Sequence, residues 1–364
     1  MSASGKIARA LEGAPDAPLW MRGALTAISP AGWAYGAAMG LRRSLYETVW
    51  GVSEAPSCPI ISVGNITLGG TGKSPAVAWV VARLIESGRR PAVVSRGYGG
   101  SLIDVSAVSD GAGEVLSSPP ASDEAVMLAR MFPSVAVITG RDRPAAARRA
   151  AAEYGAEIIV VDDGFQHLAL RRDLDLVVLR GERPFGNGRV FPAGALREPL
   201  GALRRAEAVL LTGDVRPETR AMVQRAAPRA AVFSGSLRPA ALMDAAGRTA
   251  GVPGDLKGAA VIAVSGIGHP EAFSRTLEEL GVRILVHHAY PDHAAYPPDV
   301  VASFFDSQKE TGADFIITTE KDIVKMAPPA EDSRLRALRV EMEIEGGEDL
   351  ASLIMKTAQV NSAG

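Results

Sequence analysis

Ile60-Ile61-Ser62-Val63-Gly64-Asn65-Ile66-Thr67-Leu68-Gly69-Gly70-Thr71-Gly72-Lys73-Ser74 is the stretch from which the rest of this chain is read. An apolar run of strand length enters a glycine-rich turn, and Gly-Lys-Ser then opens a stretch with helical periodicity over 74–86. Glycines let backbone N–H groups approach phosphate oxygens, and a helix N-terminus adds unpaired donors and the positive end of its dipole. Lys73 is suited to reach the β- and γ-phosphates of a nucleotide, and the Ser74 hydroxyl to bind Mg²⁺. The usual spacing is not kept, because the position five before Gly72 is Thr67 rather than glycine. Thr67, Leu68, Gly69, Gly70, Thr71, Gly72, Lys73 and Ser74 are the expected cradle for a nucleoside triphosphate.

Outward from the cradle, short β-rich runs (60–63, 92–95, 135–139, 158–161, 176–179 and 209–212) alternate with helical patterns such as 74–86, 123–131 and 144–154. Continuous apolar strands alternating with helices predict an α/β fold of the P-loop type, a mostly parallel sheet with helices on both faces. A second series follows the Gly/Pro/Asp-rich stretch 244–257, with strands at 260–265, 283–286 and 315–319 and helices at 270–280 and 298–311. The expected division is an N-terminal helical segment 1–55, a nucleotide-binding domain 56–243 and a smaller C-terminal α/β domain 244–364. The run 340–344 is expected as an edge strand.

The apolar run 158–161 ends in Asp162-Asp163. Strand C-terminal ends converge on the ligand crevice of an open α/β sheet, so both acids are expected to hold Mg²⁺ beside the cradle. The bland alternative is a strand closing in a solvated acidic turn. Gln166 and His167 continue along that rim and are expected at the phosphates or the acceptor, and Arg141 and Arg143 are expected to add guanidinium contacts to the phosphates. Guanine readers use Asn-Lys-x-Asp; the nearest stretch, Thr318-Thr319-Glu320-Lys321-Asp322, lacks both the Asn and the spacing. ATP is therefore the expected nucleotide.

Composition sets the outer bounds. The 364 residues are 47% apolar and 22% charged, which excludes wholesale disorder. Lys and Arg number 39 against 41 Asp and Glu, so no global basic field points to nucleic acid, and none is expected as a partner. A single cysteine, Cys58, excludes an internal disulfide framework. Three of the four tryptophans, Trp20, Trp33 and Trp50, lie in the first fifty residues around an uncharged run from 23 to 41. That run has the length of a bilayer span, but Ala and Gly dominate it and Ser29-Pro30 interrupts it. It is also a poor secretory signal. Two readings remain. One is a helix pair at a membrane surface, with Trp20, Trp33, Tyr35, Tyr46 and Trp50 at headgroup level and Arg22, Arg42 and Arg43 facing anionic lipid. The other is an amphipathic helix packed on its own domain.

Together these motifs resemble the tetraacyldisaccharide 4′-kinases of lipid A synthesis. The loop with its missing first glycine carries the resemblance, as do Ser95-Arg96-Gly97-Tyr98-Gly99-Gly100, Asp123-Glu124 and Asp162-Asp163-Gly164-Phe165-Gln166-His167. Phe191-Pro192-Ala193-Gly194-Ala195-Leu196-Arg197-Glu198-Pro199 and Thr319-Glu320-Lys321-Asp322 carry it further, so that it spans roughly residues 20 to 325. The resemblance implies transfer of the ATP γ-phosphate to the 4′-hydroxyl of a tetraacylated glucosamine disaccharide 1-phosphate, giving the bisphosphorylated product lipid IVA. It places the enzyme at the cytoplasmic face of the inner membrane, peripheral or monotopic, and makes the N-terminal tryptophans candidate surface anchors. Asp123 looks like the family's catalytic carboxylate, with His293 of Tyr290-Pro291-Asp292-His293 as its partner and Lys73 as the catalytic cation. Glu198 joins Ser74, Asp162 and Asp163 as an expected metal ligand.

The chemistry fits these types. A sugar hydroxyl is a poor nucleophile, so Asp123 would accept its proton while His293 orients the carboxylate. Helix capping is the alternative for Ser122-Asp123-Glu124. His287-His288 with His293 suggests a metal site only weakly, since no cysteine supports it. The paired arginines Arg171-Arg172 and Arg204-Arg205 read as solvated faces or as contacts to the acceptor 1-phosphate. Two other readings of the whole chain are an ATP-binding regulatory or delivery NTPase with no lipid acceptor, and a dethiobiotin-synthetase-like ligase.

Overall fold

A computed structural model of the chain describes residues 7–360 apart from 8, 15–16, 52–55, 57, 103, 117, 119 and 328–333. Contacts group it into two compact units: Met1–Val94 with Arg143–Leu237 and Met342–Gly364, and Ser95–Asp142 with Arg238–Glu341.

The first unit is built on a parallel sheet. The strand Ile60–Gly64 lies at its centre between Ile158–Asp162 and Leu174–Arg180. Pro91–Ser95 flanks Ile158–Asp162, and Ala208–Thr212 then Ala231–Met243 extend the other side. Every residue of Ile60–Gly64 and of Ile158–Asp162 is buried, the signature of a strand covered on both faces. The register pairs Val63 with Asp162, so the glycine-rich loop and the acidic turn leave neighbouring strands at the same level. Helix Lys73–Glu86 buries Ala76, Val77, Val80, Val81 and Leu84, a stripe at helical spacing.

The N-terminal helices Leu19–Ala27 and Ser29–Leu45 belong to this unit rather than standing apart, as the 1–55 division would have it. The physical reason is a seam of glycines. A Cβ on Gly32 would fall 2.8 Å from the Val190 carbonyl oxygen, and one on Gly36 would fall 3.4 Å from Pro199. Trp20, Trp33 and Trp50 lie outside that seam, at 69%, 74% and 58% exposure. Among the described residues no helix is long and apolar enough to cross a membrane.

The second unit carries a parallel sheet in the order Arg283–Ala289, Ala260–Ser265, Phe315–Thr319, Leu335–Glu345. It also holds an antiparallel pair, Ser106–Asp110 with Ala136–Thr139. Helix Asp123–Met131 packs on that pair and against the short helix Glu320–Ile323. The contact grouping changes unit after Leu237, whereas the expected boundary is contiguous and lies at 243. Residues 95–142 group with the C-terminal part, however, and 342–364 with the N-terminal part. Helix contacts match both memberships, Asp123–Met131 against Glu320–Ile323 and Gly347–Val360 against Lys73–Glu86, and a contiguous reading of the sequence does not see them.

Candidate active site

In the first unit the cradle is pinned from several sides. The Leu68 N–H donates to the Ala195 carbonyl at 2.7 Å, and the Arg197 N–H to the Ile66 carbonyl at 2.7 Å. Thr67 pairs in a backbone bridge with Leu196, which is why the missing glycine is tolerated there: Thr67 has no positive φ to accommodate. Gly72, by contrast, has φ +81° immediately before the helix, and glycine takes that value without steric cost. Asn65 Nδ2 donates to Thr71 Oγ1 at 3.3 Å, and Thr212 Oγ1 donates to the Thr71 carbonyl at 3.0 Å.

Lys73 Nζ lies 2.9 Å from Asp163 Oδ1, and Arg197 Nη1 reaches Oδ1 at 3.1 Å and Oδ2 at 2.8 Å. Burial pushes the Asp163 carboxyl upward, but Lys73 and Arg197 outweigh it and hold it down to about 2. Asp163 sits at φ +54°, a strained value for a side chain other than glycine. Gln166 Nε2 donates to the Asn65 carbonyl at 2.8 Å, tying the turn after Asp163 to the cradle. Gly64 permits this approach, since a Cβ there would fall 2.6 Å from Phe165 Cβ.

The second unit holds a separate cluster. His293 Nδ1 is 3.3 Å from Asp123 Oδ2, and Ser118 Oγ donates to Asp123 Oδ1 at 3.1 Å. Burial raises the Asp123 carboxyl, yet the His293 hydrogen bond, the Lys325 charge and Ser118 together hold it below its ordinary range. His293 is raised, first by its bond to Asp123, against burial and the Lys321 charge. His293 is at φ +62°. Among the described residues it and Asp163 are the two non-glycine positions with positive φ, and backbone strain of this kind gathers at functional sites.

Compared with known families, residues 24–359 match the family described as Tetraacyldisaccharide-1-P 4′-kinase, LpxK. The chain belongs to the tetraacyldisaccharide 4′-kinase family. The tetraacyldisaccharide 4′-kinase of Anaeromyxobacter dehalogenans (strain 2CP-C) is 43% identical over 323 residues, covering 86% of this chain and 85% of the relative. That of Syntrophus aciditrophicus (strain SB) is 40% identical over 334 residues, covering 87% of this chain and 88% of the relative. The crystal structure of "apo" form LpxK from Aquifex aeolicus in complex with ATP has a TM-score of 0.76 at 29% identity. It covers 92% of this chain and 99% of its own.

Within this 4′-kinase fold some expected site residues find other work. Glu198, expected at the metal, is buried with both oxygens 3.2 Å from Arg205, so here it is an ion-pair partner. Arg205 also caps the Phe165 ring at 4.4 Å and so helps to hold the Gly164–Gln166 turn. Arg172 is likewise committed, to Asp175 at 2.8 Å and to the His167 carbonyl at 2.7 Å. Arg143, expected at the phosphates, is buried and reaches the Asp162 carbonyl at 3.4 Å; Arg141 is exposed. His167 sits half-buried, and its carbonyl takes the Arg172 bond. His287 is held between Ser265 and Ser274 hydroxyls, each at 2.8 Å, and His288 packs on Phe304. Two of the arginines expected to face lipid bond back to the chain: Arg22, still exposed, donates to the Ala14 carbonyl and Arg42 to the Gln166 carbonyl. Sequence reasoning passed over Arg197, Ser118, Lys321 and Lys325. Arg197 and Lys321 stood inside recognised motifs, which was the signal available for them.

Proposed function

We propose that this chain, an ATP-dependent tetraacyldisaccharide 4′-kinase, transfers the ATP γ-phosphate to the 4′-hydroxyl of an acylated glucosamine disaccharide 1-phosphate and so makes lipid IVA. The observation that carries the assignment of roles is the built Asp123–His293 pair, which a nucleotide-switched regulatory protein would not need. Transfer through a loose transition state needs positioning and charge neutralisation more than covalent chemistry. The N–H groups of residues 67–74 hold the phosphates, and Lys73 exchanges its Asp163 partner for the β- and γ-oxygens. Arg197 keeps Asp163 paired when Lys73 leaves. Asp123 accepts the proton of the 4′-hydroxyl, and His293 donates to the second oxygen of that carboxylate and shares the charge.

The hard oxygen donors of Ser74 and Asp162, with Asp163 beside them, suit Mg²⁺, which is commonly held through one or two carboxylates and the substrate's own phosphates. Bound there, Mg²⁺ supplies charge neutralisation on the β- and γ-phosphates. An acceptor with four acyl chains stays in the bilayer, so the enzyme works at the membrane surface, and Trp20, Trp33, Leu41, Val49 and Trp50 form the exposed apolar face that meets it. The test is to incubate purified protein with [γ-³²P]ATP, Mg²⁺ and detergent-dispersed disaccharide 1-phosphate lipid. Label in the lipid, on the 4′-oxygen by ³¹P NMR, is expected. Label released only as free phosphate would favour the regulatory NTPase instead.

A further inference from the structure

Two lysines one helical turn apart meet different members of the Asp123–His293 pair. Lys321, in the helix Glu320–Ile323, brings Nζ to 3.4 Å from His293 Nε2. Lys325, just beyond that helix, brings Nζ to 3.6 Å from Asp123 Oδ2. Neither is a loose surface cation. Lys321 is braced by Glu124 at 2.8 Å and Asp292 at 2.7 Å. Lys325, with a side chain only 6% exposed, is braced from behind by Asp322 at 2.9 Å and lies 4.9 Å over the Tyr296 ring. Asp322 is fully buried and anchored in turn by the Gly266 N–H at 2.8 Å and by the Tyr296 and Thr319 hydroxyls at 3.1 and 2.6 Å.

An ammonium group has donors and no acceptor. If Lys321 donates to Nε2, that nitrogen is the ring's acceptor and the single proton of neutral His293 lies on Nδ1, facing Asp123. We propose that Lys321 and Lys325 are positioning residues for proton transfer: Lys321 fixes His293 in the tautomer that donates to Asp123, and Lys325 holds Asp123 as the anionic acceptor. This rests on Asp123 being the base. The charged and titratable groups facing His293 are Asp123 and Glu124 from one helix, Asp292 from its own loop and Lys321, with Tyr98 edge-on at 5.3 Å. Those facing Asp123 are His293 and Lys325, with Ser118 donating. Each lysine opposes protonation of its partner: Lys321 lowers His293, and Lys325 lowers Asp123.

The decisive experiment uses the full chain labelled with ¹⁵N-histidine, the His293 signals being located by their loss in His293→Gln. Wild-type protein above the His293 titration is expected to show the proton on Nδ1; Lys321→Met should shift signal toward the Nε2-protonated form. The same variant should lower kcat by about tenfold with an unchanged KM for ATP, since the general base is misaligned rather than removed. Lys325→Met should move the acid limb of the kcat–pH profile upward, and Lys325→Arg should return it. Should Lys325→Met fail to fold, because it strands Asp322, the Lys321→Met tautomer alone decides. An unchanged His293 tautomer in Lys321→Met overturns the proposal. Wild-type kcat in Asp123→Asn would instead remove the base itself, a failure read in a different variant.

Discussion

Gly64→Ala tests how tightly the acidic turn is fitted to the central strand. A Cβ at this position would lie 2.6 Å from Phe165 Cβ and 2.9 Å from the Phe165 backbone nitrogen. Carbon atoms in contact prefer about 3.5–4.0 Å, so something must move by roughly 1 Å. Phe165 has no room to retreat: it is fully buried, Arg205 lies 4.4 Å over its ring, and the Asp163 N–H is bonded to the Val63 carbonyl at 2.9 Å. Gly64 does not have a positive φ, so the added carbon and not the backbone conformation is at fault. Overpacking of this kind costs about 1–3 kcal/mol, which for a unit of this size lowers the unfolding temperature by roughly 2–10 °C. The displaced turn also carries Asp163 and Gln166, and misplacement on the order of 1 Å at a reacting centre lowers kcat by about a hundredfold. Differential scanning calorimetry and the lipid kinase assay read the two effects. Gly201→Ala, whose Cβ would meet nothing within 4 Å, is the control and should match wild type. If Gly64→Ala has wild-type unfolding temperature and kcat, the close fit of turn to strand is wrong.

Replacing Trp20, Trp33 and Trp50 together by alanine should sharply reduce co-sedimentation with anionic phospholipid vesicles while leaving the unfolding temperature within a few degrees of wild type, since all three are exposed. Equal sedimentation would refute the surface role. The Asp123–His293 pair predicts a pH window. The His293 contribution is complete below its ordinary 6.5 and fades as pH rises through its raised folded value. The Asp123 contribution is present above its ordinary 3.8 and fades as pH falls through its lowered folded value. The destabilisation of His293→Gln should therefore be largest between those two pH values and shrink on either side of them; a difference that does not vary with pH contradicts the pairing. Arg205→Met strands the buried Glu198 carboxylate and should cost about 3–5 kcal/mol, with much of it recovered in the double variant Arg205→Met/Glu198→Gln. Urea unfolding measures both, and a fully additive double variant would remove the ion-pair assignment.

The strand, loop and helix from Ile60 to Glu86 were legible because every signal in them is local: an apolar run, glycines and a Gly-Lys-Ser start. The strand Ala231–Met243 escaped notice because Gly235, Arg238 and Pro239 break the apolar pattern, and a proline inside a run argues against a strand. Ser106–Asp110 was missed because its sequence is short and polar and only pairing with Ala136–Thr139 makes it a strand. At the site, residue types were readable while their partners were not. Lys73 and Asp163 stand ninety positions apart, and Asp123 and His293 one hundred and seventy. Glu198 could be read as an acidic ligand, but its Arg205 partner on both oxygens could not be read from the sequence. Lys321 and Lys325 look like a solvated helical face; burial and three carboxylates turn them inward.

The central claim is that nucleotide binding belongs to the cradle around Lys73 while Asp123 serves the acceptor hydroxyl. Its most direct test measures ATP affinity by isothermal titration calorimetry and 4′-phosphate formation in the same preparation of Asp123→Asn. ATP affinity within about twofold of wild type, with kcat reduced by on the order of 10²–10⁴-fold, is the predicted result. Loss of ATP binding, or retention of wild-type transfer, would contradict it.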